Sequence, residues 1–203
     1  MPKEPDNRTI INQRLLWPTP MWRTTINEFT EHPTKVSFNE DIKNWLLSKV
    51  ESEKTTIKSN TGGWQSDLLN PNEELKPLCD KIFDVVKNLN LNINQINIPQ
   101  MWANVNMKGH WNKIHLHGHY DISGTYYIKV PENSGSIVFR DPRPGAIGSM
   151  YMNKNFDGGE LLPISPNEGD LMLWPSYLDH FVEPSNSDEE RISISFDIVI
   201  INK

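Results

Sequence analysis

Arg191-Ile192-Ser193-Ile194-Ser195-Phe196 alternates polar and apolar side chains without a break. Successive side chains of a strand point to opposite faces, so Arg191, Ser193 and Ser195 share one face and Ile192 and Ile194 the other. The pattern predicts a strand over Ile192–Ile201, with an apolar face on a core and a polar face toward an interior that is not core. Working back from it, the same period-2 signal predicts strands over Ile96–Asn106, Ile114–His117, Gly124–Val130, Gly135–Arg140 and Gly169–Trp174. Pro, Gly, Asn and Asp punctuate the gaps. Parallel sheets need crossover helices, and none is legible after residue 95, so the strands should pair antiparallel.

Upstream the period is closer to 3.6. Ser37 or Asn39 can cap a helix whose first turn holds Glu40 and Asp41 and whose apolar face is Ile42, Trp45, Leu46 and Val50. A second helix fits Asn72 to Leu89, with Leu75, Leu78, Ile82, Phe83 and Val86 on one side. Leu15-Leu16-Trp17-Pro18-Thr19-Pro20-Met21-Trp22 is apolar but carries two prolines, which suits an edge strand or extended arm. Two helices followed by many short strands predict a mainly β (α+β) fold, an antiparallel sandwich or barrel buttressed by helices. The expected organisation is one domain over 1–203, with an arm and helical buttress in 1–95 and the β core in 96–203.

Composition narrows the class. At 203 residues, with 36% hydrophobic and 23% charged side chains, the chain can fill a core and is not a disordered polyelectrolyte. A net charge of -6 argues against a nucleic-acid wrapping surface. No apolar run reaches the roughly 20 residues of a membrane span, and Met1-Pro2-Lys3-Glu4-Pro5-Asp6 lacks the basic-then-apolar pattern of a secretory signal. Cys79 is the single cysteine, so no intrachain disulfide can form, and a cytoplasmic, reducing setting is expected. Sequence alone leaves oligomeric state open.

Four of the six histidines lie within ten residues: His110, His115, His117 and His119. On a strand the last three share a face, and an i, i+2 pair of imidazoles can offer two nitrogens to one metal ion. His180, beyond Trp174-Pro175-Ser176, is the candidate third ligand. Eleven residues later, Arg191 carries a planar fork suited to a carboxylate. Its partner could equally be a neighbour, Asp188, Glu189 or Glu190. Arg140, Arg143 and the Gly145–Gly159 loop are candidates to overhang a pocket, although Asp141-Pro142-Arg143-Pro144-Gly145 reads better as a stiff turn. Trp64, Trp102 and Trp111 are candidates to frame one, or core residues as large aromatics more often are.

Together, His115-Leu116-His117, Ser123-Gly124-Thr125-Tyr126-Tyr127-Ile128, Gly169-Asp170-Leu171-Met172-Leu173-Trp174-Pro175-Ser176, His180 and Arg191-Ile192-Ser193 resemble the iron(II)/2-oxoglutarate-dependent oxygenases. Phe139, Asp141-Pro142-Arg143 and Gly62-Gly63-Trp64-Gln65-Ser66 add to the resemblance, which runs from about residue 15 to 200 and is nearest to a branch found in bacteria and T4-like marine phages. It implies a double-stranded β-helix, or jelly roll. By the same resemblance Fe(II) and 2-oxoglutarate are the cofactor and co-substrate, and O2 is the oxidant of an unknown substrate. His180 matches the distal ligand, Arg191 the residue pairing with the 2-oxoglutarate C5 carboxylate, Ser193 an assisting hydroxyl, and Tyr127 a co-substrate-binding tyrosine. The near pair departs from the usual His-x-Asp. Either His115 and His117 ligate, leaving no anionic protein ligand, or His119 and Asp121 do.

Two other readings fit parts of the pattern. Gly109 followed by His115-x-His117, with Asp121 nearby, outlines the first motif of a cupin, although His180 lies too far from Gly169 for the second. The other is a non-enzymatic jelly-roll binding or virion-associated module with a structural metal or vestigial histidines.

Overall fold

The structure is a computed structural model that describes residues 18–30, 37–70, 74–143 and 160–201. The apolar residues 15–17, the start of the second expected helix at 72 and the 145–159 loop lie outside them. The first half contributes strand β1 (Trp22–Thr25), the short helix α1 (Asn27–Thr30), α2 (Phe38–Ser52), the two-residue strands β2 (Asn60–Thr61) and β3 (Trp64–Gln65), and α3 (Lys76–Lys87). The second half is all strand among the described residues: β4 (Gln95–Asn106), β5 (Trp111–His115), β6 (Ile122–Lys129), β7 (Ile137–Arg140), β8 (Leu161–Ile164), β9 (Asp170–Pro175), β10 (His180–Val182) and β11 (Arg191–Ile201). A six-stranded sheet in the order β1-β9-β6-β11-β4-β3 faces a five-stranded sheet in the order β2-β5-β10-β7-β8, and every pairing is antiparallel. This is the expected jelly roll.

Local chemistry sets the boundaries. β1 begins at Trp22, after Pro18 and Pro20, because proline cannot donate to a ladder. Asp170, fully buried on β9, pins this edge strand by pairing with Arg23 and accepting from Thr25 Oγ1 at 2.8 Å. α2 is capped by Ser37, whose hydroxyl accepts from the Glu40 N–H at 3.3 Å. Asn39, the other candidate cap, is buried and ties α2 to β6: its amide donates to the Ile128 carbonyl at 3.2 Å and accepts from the Tyr126 hydroxyl at 2.7 Å.

Three expected boundaries need correction. β5 stops at His115 because the His117 N–H donates to the Ser176 carbonyl (2.8 Å) and Tyr120 N–H returns to the His117 carbonyl (3.2 Å), turning the chain. His119 therefore does not continue the strand face. β7 begins at Ile137, two residues past Gly135 (φ 84), and β9 after Gly169 (φ 82), since both glycines occupy left-handed turn positions. The two- to four-residue strands β2, β3, β8 and β10 have too few residues for a period to show, and pairing with longer partners defines them.

The main core lies outside the sandwich. Ile192, Ile194, Phe196 and Ile198 on β11 are fully buried and join Met101 and Ala103 of β4 under Ile42 and Leu46 of α2 and Leu78, Ile82 and Val86 of α3. A smaller cluster sits between the sheets: Tyr127, Ile137, Phe139, Met172, Trp174 and Leu178. The buttressing helices thus take the apolar face of the large sheet and leave its other face free for polar side chains. Cys79 is in the helix-side core, where burial pushes its thiol up to about 11, so it is an inert packing group. No helix among the described residues is long and apolar enough to cross a membrane.

Because Ile82 is fully buried between α3 and the large sheet, Ile82→Ala should destabilise the protein by about 2–5 kcal/mol, read as a lower denaturant midpoint at unchanged slope.

Candidate active site

β10 pairs with β5 so that His180 and His115 are direct cross-strand partners. His117 leaves the end of β5 and is held by its N–H bond to Ser176. The three rings converge, with centroid separations of 4.4 Å (His115–His180), 5.1 Å (His115–His117) and 5.3 Å (His117–His180). One nitrogen of each lies within 4.8 Å of the others.

The outer nitrogens are occupied. His115 Nδ1 lies 2.7 Å from the Lys113 carbonyl, His180 Nδ1 3.0 Å from the Leu178 carbonyl, and His117 Nδ1 2.7 Å from Asp197 Oδ1. These acceptors place the proton on Nδ1 of each neutral ring and leave the Nε2 lone pair, which is the form a metal ion requires. The Trp174 ring packs edge-on to His180 with centroids 4.9 Å apart, and Trp102 lies 5.6 Å from His117. Burial, reinforced by His115, pulls His180 down to about 3, and burial also lowers His115. Both are therefore neutral at pH 7 and able to coordinate.

His119 is exposed and Asp121 lies just before β6, its carboxylate accepting from the Ile200 N–H at 2.7 Å. Neither belongs to the cluster, so of the two registers left open by sequence it is His115 and His117 that meet His180. His110 serves structure, its Nδ1 accepting from the Met107 N–H at 2.9 Å.

The triad lines a cavity of about 790 Å³ whose wall also includes Arg191, Ser193 and Tyr127. Arg191 is 3% exposed, and its Nη1 donates to the Ser134 and Gly135 carbonyls at 3.1 and 3.3 Å. Gly135 permits this turn: its φ is 84°, and a Cβ there would meet the Glu183 carbonyl oxygen at 2.5 Å. The acidic neighbours do not neutralise Arg191, because Asp188 pairs with Lys108 and both Glu189 and Glu190 pair with Lys129. Among the described residues Arg191 has no carboxylate partner, and its Nε, like Trp174 Nε1, is buried with no hydrogen-bond acceptor. Two orphaned donors in one cavity, one of them on a guanidinium, fit an anionic ligand. Tyr127 is raised to about 12 by burial, with Arg191 opposing, so its hydroxyl stays protonated and can donate.

Residues 100–197 match the model of a family described as "Putative 2OG-Fe(II) oxygenase". The matched span, just under half of the chain, carries all three histidines and Arg191 and is similar to the iron(II)- and 2-oxoglutarate-dependent oxygenases. No curated protein sequence matches it. Among solved structures, a Pseudomonas putida prolyl-4-hydroxylase superposes with TM-score 0.61 at 14% identity, covering 91% of this chain and 94% of that one. The 2-oxoglutarate complex of a viral collagen prolyl hydroxylase from Paramecium Bursaria Chlorella virus-1 gives 0.60 at 13%, covering 89% and 96%. HygX from Streptomyces hygroscopicus, with nickel and 2-oxoglutarate bound, gives 0.60 at 13%, covering 90% and 83%. Likeness at such identities speaks for the shared fold.

The remaining candidates lie mostly outside the cavity. Arg140 pairs with Glu160 and Arg143 with Asp141, so both are spent on local turns away from the cavity. Of the three tryptophans expected to frame a pocket, only Trp102 lines it, and Trp64 lies in the helix-side core. The sequence reading missed the polar row of β4, Gln100, Asn104 and Asn106, which alternation could have revealed, and it missed Asp197 behind His117.

A depressed histidine contributes stability that is complete above its unfolded pKa of about 6.5 and is lost as pH falls toward the folded value. The metal-free protein should therefore lose thermal stability progressively between about pH 6.5 and 3, the window set by His180. His180→Phe should flatten that dependence in melts run across the range.

Proposed function

We propose that this protein is an oxygenase that hydroxylates its substrate at a site where His115, His117 and His180 hold iron(II) through Nε2 and Arg191 anchors the distal carboxylate of 2-oxoglutarate. The buried guanidinium without a carboxylate partner, in the same cavity as three converging imidazoles, carries this reading. When bound, the metal and co-substrate supply O2 activation: one oxygen atom ends in the substrate hydroxyl and the other in succinate, with CO2 released. Arg191 offers two charge-assisted donors to the diacid, and Ser193, on the same strand face, together with Tyr127 offers hydroxyls. The Trp174 ring packs edge-on against His180 and shields that side of the triad. In this reading residues 1–203 act as one domain, 1–95 as buttress and 96–203 as carrier of the site, in a reducing cytoplasmic setting.

The substrate side is polar and lacks negative charge. β4 turns Gln100, Trp102, Asn104 and Asn106 into the cavity, and no aspartate or glutamate is among its described lining residues. Such a wall favours a neutral or anionic compound rich in amide or hydroxyl groups over a polycation. A peptide is one such compound, and a Trichoplax adhaerens prolyl hydroxylase of similar fold is known in complex with a peptide fragment.

Anaerobic addition of Fe(II) and 2-oxoglutarate should produce a weak visible charge-transfer band; a folded protein that shows none would overturn the assignment. Arg191→Met should raise KM for 2-oxoglutarate by about 10- to 100-fold, the equivalent of losing a charge-assisted bond of about 1.5–3 kcal/mol. Uncoupled succinate formation measures this, and Co(II) affinity should be unchanged.

A further inference from the structure

Three neutral imidazoles bring no negative charge to a dication, yet the carboxylate that could supply it lies directly behind one of them. Asp197 is fully buried. Its Oδ1 accepts from His117 Nδ1 at 2.7 Å and from Ser123 Oγ at 2.6 Å, and its Oδ2 from Gln100 Nε2 at 2.5 Å. Gln100 and Ser123 are the cross-strand neighbours of Asp197 on β4 and β6, so both flanking strands hold the carboxylate in place. Ser123 is fixed in turn by Ser176 Oγ at 2.8 Å, and Ser176 also holds the His117 backbone. No lysine or arginine pairs with Asp197 among the described residues. Three donors and no cationic side chain among the described residues converge on this buried carboxylate and fix its orientation behind His117.

We infer that Asp197 is the positioning residue that replaces, one imidazole ring further out, the anionic ligand this His-x-His site lacks: through His117 it lends negative charge to the metal position and fixes the ring with Nε2 inward. The inference rests on the metal-site reading above. Its physical basis is general, since a carboxylate accepting the outer N–H of a ligating imidazole raises the basicity of the inner nitrogen and freezes its orientation. β11 delivers both ends of the site along one polar row, Arg191 and Ser193 toward the co-substrate end and Asp197 toward the metal, with Ser195 between them. The register shift between Asp197 and Val199 marks where that row ends.

Titration of the metal-free protein with Co(II), followed by its visible absorption, tests this without any need for substrate. D197N keeps the size and an acceptor oxygen but removes the charge. It should weaken Co(II) binding about 10- to 100-fold, the usual effect of losing such an outer partner, and should alter the cobalt spectrum. In the His117→Asp background the charge is already on the metal, so adding D197N should leave affinity unchanged or improve it by relieving repulsion. Equal affinity of wild type and D197N overturns the inference, and so does a tenfold loss that persists in the His117→Asp background. The latter comparison stands even where the single variant fails to fold. A folded wild-type chain that takes up no cobalt would instead sink the metal-site reading itself.

Discussion

His180 and His115 face each other across β10 and β5, and that register is the constraint on which the site depends. A slip of one residue would turn His180 to the opposite face of the small sheet and disperse the triad. Strand pairing alone is a weak guarantee for a three-residue strand such as β10, so the surroundings reinforce it. β7 pairs on its other side, placing Phe139 opposite His180, and the Leu178 carbonyl fixes the ring from behind. His117 lies beyond the strand and is placed by other means, through Ser176 on its backbone and Asp197 on its ring.

The layout of the core makes this arrangement affordable. Most apolar burial sits between the large sheet and helices α2 and α3, outside the sandwich. Because stability is drawn from there, the space between the sheets can hold a cavity lined by amides, hydroxyls and charged groups that would cost free energy in an ordinary core. The two faces of β11 show the division in one strand: isoleucines and Phe196 under the helices, and Arg191, Ser193, Ser195 and Asp197 toward the interior. The polar residues are held by neighbours with matching donors and acceptors, as when Ser195 bonds Thr125 at 3.0 Å. Arg191 alone on that row keeps a buried donor without an acceptor among the described residues.

Electrostatics within the cavity are arranged by role. Burial keeps His115 and His180 neutral and Tyr127 protonated, so the imidazoles are free to coordinate and the phenol to donate. The chain carries net charge -6, yet the described lining of this pocket has no carboxylate, the acidic groups near Arg191 being taken up by Lys108 and Lys129 outside it. That segregation keeps the cavity free of the acidic charge carried elsewhere on the chain.

Alternation and helical spacing by themselves determined the architecture and marked out candidate residues for the site. Period-2 runs named six strands, Ser37 marked the start of α2, and the rarity of histidine after residue 119 singled out His180. Those signals are local: side-chain periodicity and capping chemistry are written in neighbouring residues. Only the tertiary structure decided which histidine pair meets His180, because the strand ends at His115 when the His117 N–H bonds to Ser176, far away in sequence. It alone decided that Arg191 has no acidic partner, since whether Glu189 and Glu190 reach Arg191 or Lys129 depends on how β6 and β11 lie together. Asp197, eighty residues from His117, became part of the site only through pairing of β11 with β4 and β6, for a lone aspartate in a strand carries no mark of what faces it across the fold.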